Sequence, residues 1–224
     1  MSGATDRAKR DAARRAAALV EPGMAIGLGT GSTSAYMVEE IGRRLREGTL
    51  HDVRGVPSSR ATAELARAAG IRLVTLEEQP VLDLVLDGAD EVTADGAMLK
   101  GGGGALLREK IVAARGRRVV IMVDASKLVP RLGTRAPLPV EVVAFGWSTH
   151  LEPLRALGGR PVLRRDVSGA PYLTDDRHFI LDVGFENGMA DPHWLEPRVR
   201  LRPGVVETGF FLGFQPEVIV GAAD

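Results

Sequence analysis

The chain has 224 residues, with 29 basic and 29 acidic side chains and no cysteine. That length allows one well-packed domain with a smaller one attached. The zero net charge excludes the broad basic surface of a nucleic-acid-binding protein, and the lack of cysteine excludes disulfides and thiolate metal sites. The N-terminal residues have no apolar signal core and no apolar run could span a membrane, so we expect a soluble cytoplasmic protein.

Two residue types that often carry chemistry are scarce. The histidines are far apart in sequence, which gives no reason to expect a metal site; they are His51, His150, His178 and His193. The lysines are Lys9, Lys100, Lys110 and Lys127, and every other basic residue is arginine. A lysine in such a chain indicates a need for a compact point charge. Lys9 and Lys110 can equally well be leftovers of an arginine-biased composition.

The first predicted elements are an amphipathic helix over residues 5–20, a buried strand over 24–29 and a helix that begins near Ser34. Thr30, Gly31, Ser32 and Thr33 connect the strand to the second helix. A strand, a small polar turn and a helix start can form a phosphate cradle, but an ordinary turn with a helix cap fits too. The turn lacks the third glycine of the dinucleotide-binding motif and the G-K-[ST] of a P-loop, which leaves a smaller phosphate ester.

A second strand and helix follow at 53–56 and 59–69, with Ser58 and Ser59 available as caps or ligand hydroxyls. Two more strands are predicted over 71–76 and 81–86. Asp87 and Asp90 therefore lie near the carboxyl end of a strand, which is where open α/β sheets bind ligands.

Four consecutive glycines, residues 101–104, separate Lys100 from a predicted helix over 105–114. A glycine run before a helix offers backbone N–H groups to a phosphate or an oxyanion, and a flexible loop is the alternative. Within the helix, Glu109 has apolar neighbours three and four residues away on both sides. That pattern predicts a buried carboxyl with a raised pKa, suited to a general base, whereas a surface ion pair with a neighbouring cation remains the alternative.

The last strand of this part ends at Asp124 and Lys127. Alternating strands and helices predict a Rossmann-like, mostly parallel α/β sheet flanked by helices, formed by residues 1–131 and 212–224. Residues 132–211 have a β-α-β-β-α-β order, which predicts a smaller ferredoxin-like α+β domain. Its helices are expected at 149–157 and 192–199, and its last strand at 205–211. Residues 218–220 are expected to return to the main sheet.

Several motifs together resemble the A type of ribose-5-phosphate isomerase. They are GLGTGST at 27–33, DGADE at 87–91, KGGGGALLREKIVA at 100–113, DASK at 124–127, PLPVEV at 137–142, LGGRP at 157–161, TD at 174–175, ILDV at 180–183 and PGVVETGFF at 203–211. The chain departs from the family where DDRHF replaces an Asn/Gly-rich turn before ILDV, and where it ends soon after VIVG.

The resemblance implies interconversion of D-ribose 5-phosphate and D-ribulose 5-phosphate, in the non-oxidative pentose phosphate pathway, without metal or cofactor. It implies that Glu109 is the base, that Lys100 faces the enediolate, and that Asp87 and Asp90 bind sugar hydroxyls, one of them assisting ring opening. The implied substrate ligands are Thr30, Gly31, Ser32, Thr33, Gly88, Ala89, Gly101, Gly102, Gly103 and Lys127. A homodimer or a dimer of dimers is expected, with no nucleic-acid or membrane partner.

Two other classes remain on a similar fold. A phosphosugar sensor should carry a DNA-binding helix-turn-helix, for which there is no room before Pro22. An acyl-transfer enzyme with a glutamate nucleophile would need a coenzyme A site, and the sequence carries no separate signal for one.

Overall fold

The computed structural model describes residues 2–223. Within them the α-helices are α1 (Ser2–Ala17), α2 (Ser32–Arg46), α3 (Arg60–Ala68), α4 (Leu106–Ala113), α5 (Leu151–Ala156) and α6 (Pro192–Arg200). The strands are β1 (Ala25–Leu28), β2 (Arg54–Pro57), β3 (Arg72–Leu73), β4 (Leu84–Gly88), β5 (Glu91–Val92), β6 (Met98–Leu99), β7 (Val119–Asp124), β8 (Leu138–Val142), β9 (Arg160–Leu163), β10 (Phe179–Gly184), β11 (Val205–Thr208), β12 (Phe210–Phe211) and β13 (Glu217–Gly221). Short 3-10 helices lie at Ala125–Lys127 and Trp147–His150.

The described chain divides into two compact units. The first contains residues 2–89, 108–127 and 214–223, and the second contains residues 90–107 and 128–213. This division differs from the predicted domain boundaries mainly at residues 90–107. That segment holds β5 and β6. Strand β6 pairs with β5 on one side and with β12 on the other, so the segment belongs with the second unit.

The first unit is built on a parallel sheet in the order β13-β7-β4-β1-β2-β3. Residues that alternate along its central strands enter two different apolar clusters. Ile26 and Leu86 belong to the cluster that also contains buried side chains of α1, α2 and α3. Val85 faces the other way, against Val112 of α4. Helices therefore cover both faces of the sheet, which explains why its strands read as continuous apolar runs.

The ends of several elements differ from the sequence prediction. Helix α1 occupies residues 2–17 instead of 5–20, and β3 contains only two residues of the predicted 71–76. Strand β4 begins at Leu84 rather than Val81 and extends through Gly88. Val81 is 39% exposed, while Leu82 forms only an isolated bridge to Gly116, so the apolar run begins before the sheet does.

The second unit contains an antiparallel sheet in the order β11-β8-β10-β9, which is the predicted ferredoxin-like arrangement. Its apolar face packs against α5 and α6, through Leu154 and Leu195 among others. The predicted strand at 205–211 is broken at Gly209: β11 stays in this sheet, whereas β12 joins a small sheet with β6 and β5. A Cβ at Gly209 would lie 2.4 Å from the carbonyl oxygen of Lys100, so only glycine fits this crossing.

Across residues 2–223, none of the helices combines the length and the apolar composition needed to cross a membrane.

Candidate active site

The carboxyl edge of the parallel sheet in the first unit collects most of the predicted binding residues. Strands β7, β4 and β1 are neighbours in this sheet. Residues 29–33 follow β1, Asp87 and Gly88 end β4 and precede Ala89, and Lys127 ends the 3-10 helix after β7. Parallel strands bring their carboxyl ends to the same edge, so these three segments share one rim of the unit.

Asp87 is tied to the turn that follows β1. Its side chain is buried, and its Oδ1 accepts hydrogen bonds from the backbone N–H groups of Thr30 (3.2 Å) and Gly88 (2.7 Å). A Cβ at Gly29 would lie 2.0 Å from the same oxygen. Gly29, the second glycine of the GLG segment, is therefore required by the position of Asp87. The turn and the carboxylate form one assembly.

A cluster of hydroxyl groups supports the turn from beneath. Thr30 Oγ1 lies 2.8 Å from Ser58 Oγ and 2.9 Å from Ser59 Oγ. Thr62 Oγ1 donates to the carbonyl oxygen of Gly29 at 3.0 Å, and Ser59 caps α3 by accepting from the Thr62 N–H. Ser58 and Ser59 are buried, so the structure gives them the capping and supporting role.

The exposed part of the turn offers groups that suit an anion. Helix α2 begins at Ser32, and its N-cap residue Gly31 has φ of 113°, a value that favours glycine. Lys9 of α1 donates from Nζ to Ser32 Oγ at 3.0 Å, so this lysine reaches the start of α2. Gly31 and Ser32 are exposed, while Thr33 and Lys127 are half-buried. A helix start with an ammonium group beside it is a favourable place for a phosphate.

Glu109 lies in the first turn of α4 and is only 5% exposed. Three residues further along the helix, Val112 packs against Ala25, Val56 and Val85 of the sheet. A Cβ on Gly27 would lie 2.6 Å from Val112 Cγ1, so this glycine lets α4 lie close to β1. The burial places Glu109 away from the protein surface, and Leu106, Val112 and Ala113, which lie three and four residues from it along the helix, are buried too.

In the second unit, Lys100 follows β6 and is 3% exposed. Its backbone N–H donates to the carbonyl oxygen of Gly209 at 2.9 Å, which fixes the chain at this point. Its Nζ lies 5.4 Å from the centre of the Phe211 ring, a cation–π distance. The lysine side chain is thus buried and lies against an aromatic ring instead of extending into solvent.

The glycine run after Lys100 forms a hydrogen-bonded turn, not a disordered loop. Gly104 N–H donates to the carbonyl oxygen of Gly101 at 2.9 Å, and both residues have positive φ, 80° and 104° respectively. The Gly102 N–H donates to Asp90 Oδ2 at 2.7 Å. The run therefore holds one of the predicted carboxylates, and the amide of Gly102 is already engaged by it.

Sequence reasoning missed the residues that hold this turn from the other side. Arg164 Nη1 donates to the carbonyl oxygens of Gly101 (2.9 Å) and Gly102 (3.1 Å), and its other nitrogens bind Asp182. Tyr172 Oη lies 3.4 Å from the carbonyl oxygen of Gly103. No local pattern could have revealed these contacts, because Arg164 is 63 residues from Gly101 in sequence.

Glu91 of the DGADE segment has a structural role. It is fully buried, and its carboxylate accepts hydrogen bonds from the backbone N–H groups of Gly133, Arg135 and Ala136 at 2.5 to 2.8 Å. It thereby fixes the loop that leads into β8.

Another buried carboxylate lies on β8, next to the segment that departs from the family pattern. Glu141 Oε1 accepts from Thr174 Oγ1 at 2.9 Å and lies 3.0 Å from His178 Nδ1. Burial raises the pKa of Glu141, and the hydrogen bonds from His178 and Thr174 oppose that rise. This cluster anchors residues 174–178, close in sequence to Tyr172.

The sequence matches one family of known proteins over most of its length. The family model described as ribose 5-phosphate isomerase A (phosphoriboisomerase A) matches residues 54–224. The ribose-5-phosphate isomerase A of Roseiflexus castenholzii is 52% identical, over 96% of this chain and 92% of the relative. That of Synechococcus sp. is 50% identical, over 98% and 95%.

Solved structures agree with the sequence relatives. The ribose 5-phosphate isomerase of Plasmodium falciparum has a TM-score of 0.92 and 35% identity, covering 96% of this chain and 94% of that one. The ribose 5-phosphate isomerase A of Methanocaldococcus jannaschii has a TM-score of 0.88 and 41% identity, with the same coverage. The fold and the relatives define this chain as an isomerase. It belongs to the ribose 5-phosphate isomerase A family.

Proposed function

We propose that the protein interconverts D-ribose 5-phosphate and D-ribulose 5-phosphate, in the non-oxidative pentose phosphate pathway. The observation that carries the proposal is the burial of Glu109, 5% exposed on a helix packed against the sheet. An aldose-ketose isomerase must remove a proton from carbon and return it to the neighbouring carbon, so it needs a base that is shielded from bulk water. A buried carboxylate meets that need.

In this mechanism Glu109 takes the proton from C2 of the open-chain aldose, and the electrons of that C–H bond move toward the C1 carbonyl. The product is an enediolate with its negative charge on the C1 oxygen. A proton then moves from the C2 hydroxyl to the C1 oxygen, and Glu109 returns its proton to C1. The C2 carbonyl of the ketose forms, and no atom or electron is gained or lost.

Lys100 stabilises the enediolate, because a buried ammonium interacts more strongly with a developing oxyanion than an exposed one does. Asp87 and Asp90 bind sugar hydroxyls, and one of them assists the ring opening that exposes the aldehyde. Because the Gly102 N–H already binds Asp90, the amides left to face the oxyanion are those of Gly101 and Gly103.

The turn from Thr30 to Thr33 and the ammonium group of Lys127 hold the phosphate. Lys9 adds a second positive charge there, which its contact with Ser32 supports. Gly88 and Ala89, at the end of β4, line the sugar beside Asp87. A solved structure of D-ribose-5-phosphate isomerase contains phospho-erythronic acid, and that protein is 37% identical to this one over 95% of the present chain. Its ligand supports a phosphorylated sugar as the substrate here.

A coupled assay with D-ribose 5-phosphate tests the proposal. We expect ketose phosphate to form with purified protein and no added cofactor, and no comparable turnover of unphosphorylated ribose. Binding of the phosphosugar without turnover would favour the sensor, and transfer of an acyl group from coenzyme A would favour the acyl-transfer enzyme. Either result would overturn the isomerase.

We further propose that the protein acts in the cytoplasm as a homodimer or a dimer of dimers. Family membership supports both statements, and the second unit offers a further sheet surface for burial. Light scattering at micromolar concentration tests the assembly, and a monomeric mass would contradict it.

A further inference from the structure

The carbonyl oxygens of the glycine run point toward a charged side chain from a different sheet. Arg164 directly follows β9, and its guanidinium group makes two separate sets of hydrogen bonds. Nε and Nη2 bind the two carboxylate oxygens of Asp182 at 2.8 and 2.5 Å, while Nη1 binds the carbonyl oxygens of Gly101 and Gly102. The side chains of Arg164 and Asp182 are 14% and 23% exposed, so the pair is largely shielded from water.

By holding two carbonyl oxygens, Arg164 also fixes the direction of the N–H groups that belong to the same two peptide planes. In a trans peptide the carbonyl oxygen of one residue and the N–H of the next point in opposite directions. When Arg164 holds the carbonyl of Gly101, the N–H of Gly102 must face away from it, and that N–H binds Asp90 at 2.7 Å. Holding the carbonyl of Gly102 orients the N–H of Gly103 in the same way.

We propose that Arg164, clamped by Asp182, is a positioning residue for the reaction. It sets the two peptide planes that place Asp90 and the Gly103 N–H. Glycines cannot hold these planes by themselves, because they lack the side chain that restricts their backbone. The catalytic consequence rests on the proposed function, whereas the geometry of the turn does not.

Arginine suits this task because its planar fork can hold a carboxylate on one edge and carbonyl oxygens on the other. Lysine has one nitrogen and cannot span both. Arg164→Lys therefore keeps the charge and removes the double contact, and Asp182→Asn removes the charged clamp while keeping its shape. Arg160→Gln is a matched control, since Arg160 begins β9, the strand that Arg164 follows, and the side chains of Arg160 and its ion-pair partner Glu186 are 69% and 78% exposed.

The first measurement is amide hydrogen exchange, which needs no substrate. We expect the Gly102 amide to exchange about 10-fold faster or more in Arg164→Lys and in Asp182→Asn. Exchange at Val140 on β8 should stay unchanged, and Arg160→Gln should behave like the parent protein. If the Gly102 amide keeps its protection in the folded variants, the proposal is wrong. If Arg164→Lys does not fold, the exchange experiment and the kinetic experiment that follows are both judged on Asp182→Asn.

The second measurement is steady-state kinetics with D-ribose 5-phosphate. We expect kcat to fall by about 10- to 100-fold per folded molecule, with a smaller rise in KM, because a displaced group costs turnover while the phosphate contacts in the first unit persist. Faster exchange with unchanged kcat would overturn the catalytic role. A parent protein without isomerase activity would instead refute the proposed function and leave the exchange result to decide the geometry.

Discussion

The turn at residues 29–33 and the run at 101–104 look alike in sequence, because each places glycine and small residues before a helix. They are supported in different ways. The hydroxyl groups of Ser58 and Ser59, which lie between β2 and α3, hold Thr30, and the strand before this turn, β1, is paired on both sides. A charged clamp from a separate sheet, Arg164 with Asp182, holds the glycine run.

This difference matches the ligands that the two segments are proposed to bind. The first turn can be set by local packing, because a phosphate accepts many donor arrangements. The second has to place a carboxylate and an N–H against particular atoms of the sugar, where small displacements cost rate. We therefore expect changes in the first turn to appear in KM, and changes in the second to appear in kcat.

The largest expected effect is that of Glu109→Gln. The effects of changes in the two segments can be compared with it. The change keeps the shape of the side chain and removes the base, so kcat should fall by about 10²- to 10⁴-fold with little change in substrate affinity. Turnover and binding of D-ribose 5-phosphate are the measurements, with Glu64→Gln on the surface of α3 as a control. Near-normal kcat in a folded Glu109→Gln protein would transfer the role of base to Asp87 or Asp90.

Lys127→Ala should raise KM for D-ribose 5-phosphate by about 10- to 100-fold, as expected for loss of a charged hydrogen bond. The slow reaction of unphosphorylated ribose should change little. Arg118→Ala is a useful control, because Arg118 precedes β7 while Lys127 follows it, and its ion pair with Glu217 is exposed. An equal loss with both sugars would place Lys127 outside phosphate binding and weaken the comparison.

Two alanine substitutions compare the segments directly. In Gly29→Ala the new Cβ would lie 2.6 Å from the backbone Cα of Asp87, which cannot move alone, so we expect the free energy of unfolding to fall by about 1–3 kcal/mol. In Gly102→Ala the three atoms nearest to the new Cβ would belong to the carboxyl group at the end of the Asp90 side chain, with Oδ1 at 2.6 Å. Here we expect nearly normal stability with reduced kcat. Urea unfolding and kinetics measure both, and the reverse pattern would contradict the comparison.

The smallest expected effect is a pH dependence of stability at Glu141, which anchors the segment next to Tyr172. Burial raises the pKa of Glu141 in the folded state above its value of 4.5 in the unfolded chain. Folding therefore favours the protonated form, and the stability gained in this way is present at acid pH and lost as pH rises through the folded pKa.

Glutamine does not titrate, so Glu141→Gln should become more stable relative to the parent protein as pH rises from about 4 to about 6, below the usual pKa of histidine. Urea unfolding across this range is the measurement. His178→Gln serves as a control, because it removes the part of the pH dependence of stability that arises from the histidine. A stability difference that does not change with pH would contradict the prediction.

The parallel α/β sheet, the ferredoxin-like order of the second unit and the family could all be predicted from the sequence alone. These features depend on apolar periodicity, turn residues and contiguous motifs, all of which are local. The burial of Glu109 could also be predicted, because its helical neighbours at three and four residues are apolar. The roles assigned to the individual site residues stay predictions until the variants are measured.

The residues that hold the glycine run, and the break in the strand predicted at 205–211, are visible only in the folded chain. Arg164 reads in sequence as one more arginine after a strand, and its partners are distant along the chain. Gly209 could have been any strand glycine until its crossing with Lys100 and Pro139 was known. Periodicity shows which face of an element is buried, but contacts between separate elements depend on how the whole chain packs, and no local pattern contains that information.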